Sequence, residues 1–132
     1  MVGLDTNIVL RYIVQDGERQ SAIANRVFHE EISQESKGFV TTIVLCEVVW
    51  VLERFYKKDR TEIAAFLHAL LEIDTLEFEY DRCVREAYRD YDNMAVDFSD
   101  SLLARVNHQY GAQPTLTFDR DASRLEYFRL AQ

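Results

Sequence analysis

Short apolar runs of strand length recur along the chain, and most stop at a polar residue and give way to helical spacing. Val2-Gly3-Leu4 is the first such run. It ends at Asp5, and an apolar segment resumes after Asp5-Thr6-Asn7, with Thr6 or Asn7 as the expected helix cap. Thr6 to Val14 then reads as a short helix, broken by Gln15-Asp16-Gly17. Ala22, Ile23, Val27, Phe28 and Ile32 have helical spacing within a helix over Glu18 to Ile32. After a polar connection, Gly38 to Thr41 is a strand, and Thr42 is expected to cap a helix from about Ile43 to Tyr56.

The pattern continues to the end of the chain. Asp59 to Glu62 is a helix start, with Thr61 as an alternative cap, and the helix continues to Ile73. Leu76 to Tyr80 alternates apolar and acidic residues, which predicts a strand. Asp81 or Arg82 opens a helix with Val84, Ala87, Tyr88 and Tyr91 on one face, broken near Asp92-Asn93. Asp97 or Ser99 starts a helix to about Tyr110, closed by Gly111. Thr115 to Phe118 is a strand ending at Asp119, Arg120 to Leu125 a helical turn, and Tyr127 to Leu130 a last strand. Strands alternating with helices predict an α/β fold, a parallel sheet with helices on both faces. The successive helices between Ile43 and Ile73 are the exception, because no strand separates them.

At 132 residues the chain is expected to be one domain, residues 1–132, large enough for one hydrophobic core. The longest nearly apolar run, Ile43 to Leu52, contains Glu47 and is too short to span a bilayer. The N-terminus lacks the basic region and cleavage site of a secretion signal, so a cytoplasmic location is the expectation. Cys46 and Cys83 have no metal-type spacing and read as buried free thiols. His29, His68 and His108 are scattered and read as surface or packing residues.

A net charge of −8 argues against nucleic-acid binding driven by overall charge. It does not exclude a nucleic-acid enzyme whose acids are neutralised by a divalent ion. Arg11, Lys57, Lys58 and Arg60 are available for phosphate contacts, and an acidic surface also suits a cationic partner.

Several acids stand where an ordinary core would not have them. In an open α/β sheet, ligands bind at the C-terminal ends of the strands, and Asp5 belongs at such a tip, on what should be the middle strand. Glu47 lies in Ile43-Val44-Leu45-Cys46-Glu47-Val48-Val49-Trp50-Val51-Leu52. A carboxylate buried there would cost several kcal/mol or become neutral. It therefore faces a solvated seam, pairs with an arginine, or is aimed at a metal in a cleft. Asp97 and Asp100 share a face at a helix N-terminus, where acids are favoured. Asp97 also reads as a plain cap, whereas Leu102, Leu103 and Val106 imply that the helix after Asp100 is well buried. Asp119 repeats the strand-tip position of Asp5, with Asp121 two residues on as an auxiliary acid. Capping is the alternative for both.

Asp5, Glu47, Asp100 and Asp119 are a hard-oxygen set suited to Mg²⁺ or Mn²⁺ and not to zinc. Such ions suit phosphodiester hydrolysis. The chain has no Gly-rich phosphate loop and no nucleophile elbow. A haloacid-dehalogenase-type phosphatase wants a second acid two residues after the first, where this chain has Asn7.

Leu4-Asp5-Thr6-Asn7, Glu47 in its apolar helix, Asp97-Phe98-Ser99-Asp100-Ser101-Leu102 and Leu116-Thr117-Phe118-Asp119-Arg120-Asp121 together resemble the PIN domain, in particular the VapC-type ribonuclease toxins of prokaryotic toxin–antitoxin pairs. The resemblance covers essentially the whole chain. It implies a three-layer α/β/α sandwich with a central parallel β-sheet, a Mg²⁺- or Mn²⁺-dependent endoribonuclease, a homodimer, and a VapB-type antitoxin partner. It assigns the four metal-binding acids to Asp5, Glu47, Asp100 and Asp119. Thr6, Asn7 and Thr117 fall at positions that support the acids by hydrogen bonding, and Asp97 at an auxiliary acid. Two alternatives stand beside the toxin: a PIN nuclease acting on other RNA or on structured DNA, and a non-catalytic acidic module with Trp50, Phe55 and Tyr56 at an interface. Crowded carboxylates repel, so one of the set is expected to have a raised pKa.

Overall fold

A computed structural model describes residues 1–132. The chain folds as two compact units, Met1–Glu79 and Tyr80–Gln132.

The first unit contains β1 (Val2–Gly3), α1 (Thr6–Val14), α2 (Glu18–Arg26), β2 (Gly38–Val40), α3 (Thr42–Arg54), α4 (Arg60–Leu71) and β3 (Leu76–Phe78). Its strands form a parallel sheet in the order β1-β2-β3. The sequence pattern put Asp5 on a middle strand, but β2 holds the central place in this sheet and β1 an edge. Gly38 on β2 explains part of the packing. A side chain there would meet Leu4 Cδ1 at 2.8 Å and Leu76 Cδ2 at 3.0 Å, so these neighbours close over the bare backbone.

Two helix starts depart by one residue from the caps expected. Asp5 itself is the N-cap of α1, in extended geometry, and accepts from the Thr6 N–H. Thr41, not Thr42, caps α3 by accepting from the Val44 N–H. Thr42 instead donates through both its N–H and its hydroxyl to Glu79 Oε1, each at 2.9 Å. Asp59 opens α4 with a reciprocal capping box to Glu62. In each case the acceptor belongs to the last extended residue, whose oxygen can turn back to a free helix N–H.

The helix expected to run unbroken to Ile32 ends at Arg26, and a wider π turn occupies Val27–Glu31. Phe28 in that turn is buried and stacks on Tyr12, with ring centroids 3.8 Å apart. At the other end of α1, Arg11 donates to Asp16 at 2.8 Å and to the Tyr56 hydroxyl at 3.1 Å. Tyr56 donates to the second oxygen of Asp16 at 2.7 Å. This triad ties the α1–α2 turn to the residue after α3. Helix α3 packs on α1 and α4, and Val9, Leu45, Val48, Leu52, Ile63, Leu67 and Leu70 are fully buried. Each such side chain contributes about 1.5–3 kcal/mol of apolar burial.

The second unit contains α5 (Asp81–Asn93), α6 (Phe98–Gln109), β4 (Thr115–Thr117) and β5 (Phe128–Leu130), with a 3₁₀ turn at Ala122–Arg124. Strands β4 and β5 pair in parallel, so every strand pairing in the protein is parallel, as the alternation of strand and helix predicts. Helices α5 and α6 pack on one another, with Tyr91 and Phe98 edge to face. Helix α6 is buried on one side only: Leu102 is in the core, whereas Leu103 points to solvent. No helix is long and apolar enough to cross a membrane.

Candidate functional site

In the first unit, the strand-to-helix turn after β1 presents Asp5 to solvent. The Thr6 N–H donates to Asp5 Oδ1 at 2.8 Å. Thr6 is buried, and its hydroxyl donates to Glu47 Oε1 at 3.3 Å. One residue thus holds two carboxylates, that of its neighbour Asp5 and that of Glu47, which is 41 positions further along the chain from Thr6. Asn7 is exposed and makes no hydrogen bond to either acid.

Glu47 is exposed, on the face of α3 that also carries Ile43 and Trp50. The apolar run around it suggested a helix buried all round. The Glu47 carboxylate is open to solvent instead, because α3 buries only the Val44, Leu45, Val48, Val49 and Leu52 side. Trp50 and Phe55 are likewise exposed, and Arg54 lies over the Trp50 ring. Ordinary core packing therefore does not account for these two aromatics.

In the second unit, Asp97 is the N-cap of α6 and accepts from the Asp100 N–H at 2.9 Å. Asp119 follows β4. Its own N–H donates to Thr117 Oγ1 at 3.0 Å, and its Oδ1 accepts from Asp121 and Ala122 at 2.8 and 3.3 Å. Asp119 is therefore a turn cap through one oxygen, and Thr117 sets its backbone. Asp121 faces solvent, with only a long contact of 3.9 Å to Arg124.

Asp97, Asp100 and Asp119 form one electrostatic group. Desolvation raises the Asp100 carboxyl above the ordinary aspartate value, and the charges of Asp97 and Asp119 push it the same way. The raised carboxyl expected of the acid set is therefore Asp100, and burial contributes more than repulsion. No lysine or arginine forms an ion pair with Asp5, Glu47, Asp97, Asp100 or Asp119.

No group of three or more His, Cys, Asp or Glu side chains forms a ready-made metal cage. The acids offer instead hard oxygens whose charge no protein cation offsets. That chemistry fits a divalent ion of the magnesium type. The histidines are engaged elsewhere: His29 with the Tyr12 hydroxyl, His108 with Gln113 and stacked on Tyr127. Cys83 is a buried thiol whose pKa burial raises, and Cys46 is half-buried; neither is in a disulfide.

The PIN-domain family model matches residues 2–126, a span that includes every one of these acids. The chain belongs to the PIN-domain family. With that membership goes the α/β class of the PIN fold, in agreement with the parallel strands and intervening helices. The PIN domain is also 29% identical over 125 residues to a VapC ribonuclease of Aquifex aeolicus (strain VF5), covering 94% of this chain and 91% of that protein. No solved structure matches it.

A set of residues absent from the motif reading anchors α6 of this PIN domain. Ser101, fully buried beside Asp100, donates to Asp90 Oδ2 at 2.5 Å. Arg105 donates to the same oxygen at 2.8 Å and is also paired with Glu86. The signal was there in two spacings: Glu86 and Asp90 are i, i+4 on α5, and Ser101 and Arg105 are i, i+4 on α6.

Proposed function

We propose that this PIN domain, as a single domain over residues 1–132, is a divalent-metal-dependent endoribonuclease and the toxin of a VapBC-type pair. The observation that carries this is the set of acids at strand tips and helix starts that no protein cation neutralises. Family membership and the likeness to a VapC ribonuclease support the choice of RNA as substrate.

Asp5, Glu47, Asp100 and Asp119 are the residues that would hold Mg²⁺ or Mn²⁺, an assignment resting on their order in the sequence. When bound, the ion supplies charge stabilisation at the phosphoryl oxygens and activation of water. The chain's own residues prepare for it. Thr6 fixes Asp5 by its N–H and Glu47 by its hydroxyl. Thr117 fixes the backbone of Asp119. Asp97 is committed to the Asp100 N–H, an auxiliary role, and keeps the start of α6 in place. Asp121 ties to Asp119 through its N–H, whereas Asn7 makes no hydrogen bond to the acids. The exposed Trp50 and Phe55, at the C-terminal end of α3 and just beyond it, support self-association as a homodimer. A cationic segment of a VapB-type antitoxin suits the acidic surface.

The test is cleavage of RNA with Mg²⁺, with chelator, and by the variants Asp5→Asn and Asp100→Asn. Cleavage is expected only from the unsubstituted protein with metal. Metal-dependent cleavage that persists unchanged in both variants overturns the assignment.

A further inference from the structure

Phe118 is the most exposed large apolar side chain in the protein, at 89%. It directly precedes Asp119. Leu116, two residues earlier and on the same side of β4, is 56% exposed. Leu116 is in register with Arg129 on β5, which is also exposed. Arg120, on the other side of Asp119, is exposed as well. Neither Arg120 nor Arg129 is in an ion pair, although the protein carries a net charge of −8 and Arg120 lies between two aspartates.

The backbone of this segment is pinned. Asp119 caps the following turn, and the Ser123 hydroxyl donates to the Arg120 carbonyl at 2.6 Å. An uncovered aromatic ring and two unneutralised guanidiniums are thus presented from a fixed frame around a candidate acid. Single-stranded nucleic acid is bound by this combination: aromatic faces stack on bases and cations follow the phosphates. A purely apolar protein partner would leave both guanidiniums without a counter-charge.

We infer that the exposed side of β4 and β5 is a platform for single-stranded RNA, on which Phe118 stacks against a base and Arg120 and Arg129 contact the neighbouring phosphates. This rests on the ribonuclease reading and names the surface that positions its substrate. Stacking tolerates any base, so the platform contributes affinity and register rather than sequence choice.

The experiment measures binding of a fluorescein-labelled single-stranded oligouridylate by anisotropy, with Ca²⁺ replacing Mg²⁺, over a salt series. Phe118→Ala is expected to weaken binding roughly 5- to 100-fold, and Phe118→Trp to restore it. Arg120→Ala and Arg129→Ala should each reduce the slope of log affinity against log salt by about 0.7. Sedimentation of the same variants separates the protein alternative. Unchanged RNA binding in all the alanine variants overturns the platform while leaving the ribonuclease reading in place. So does a Phe118→Ala protein that loses self-association but binds RNA as before. Failure of the unsubstituted protein both to bind the oligomer and to cleave RNA overturns both readings.

Discussion

The Thr6 hydroxyl donates to Glu47 Oε1 at 3.3 Å while the Thr6 N–H holds Asp5 at 2.8 Å, so one buried threonine couples a strand-tip acid to a helix acid. Thr6→Val keeps the shape and the N–H but removes the hydroxyl. Groups that orient metal-binding acids typically matter by about 10–100-fold in metal affinity or activity. A loss in that range is expected in Mn²⁺ affinity measured by water proton relaxation, with little change in Tm. Unaltered Mn²⁺ affinity would show that the Thr6–Glu47 bond is incidental.

Asp100 is expected to limit the stability of the metal-free protein. Its folded-state carboxyl is raised by desolvation first, then by Asp97 and Asp119. The native state therefore binds its proton more tightly than the unfolded chain does. Stability is lost as pH rises through the window above 3.8, the ordinary value. Asp100→Asn should raise the Tm of the metal-free protein at neutral pH and have no such effect well below 3.8. Adding Mn²⁺ should stabilise the unsubstituted protein more than the variant. Calorimetry across pH, with and without the ion, measures both effects.

The opposite sign is expected at Asp16, away from the acid set. The Tyr56 hydroxyl, and then Arg11, hold its carboxyl below 3.8. Its contribution is present in full above that value and is lost as pH falls through the lower folded value. Asp16→Asn should therefore lower Tm at neutral pH, and the difference from the unsubstituted protein should shrink in acid. A constant difference across pH would assign the effect to packing instead.

Ser101→Ala removes one donor from Asp90 while Arg105 remains paired with it. Hydrogen bonds to charged groups are worth about 1.5–3 kcal/mol. Denaturant unfolding should show a loss of that size with unchanged m-value. A loss below about 0.5 kcal/mol would mean that Arg105 alone satisfies Asp90.

Asp59→Ala tests a cap remote from the acids. Removing an N-cap oxygen costs about 0.5–2 kcal/mol, and here Glu62 loses its reciprocal partner as well. Stability should fall by about that amount while RNA cleavage at a temperature well below Tm is retained. Loss of cleavage without loss of stability would contradict a purely structural role for the cap.

The alternation of strands and helices is legible along the chain, because apolar spacing and strand-ending polar residues are local signals. Thr6 to Val14 reads as one helix on that basis, and Asp5 and Asp119 stand just after strands for the same reason. Which neighbouring oxygen caps a helix is settled by the backbone: Thr41 and Thr42 are chemically identical, Asp5 and Thr6 both carry an acceptor oxygen, and the cap is the residue held extended. Only the tertiary structure decided that α3 leaves Glu47 and Trp50 in solvent, because an all-apolar run does not say which of its sides meets another helix. The same holds for Phe118, which local pattern reads as a strand residue like any other. Its exposure depends on what lies above the strand, and spacing along one chain cannot encode that.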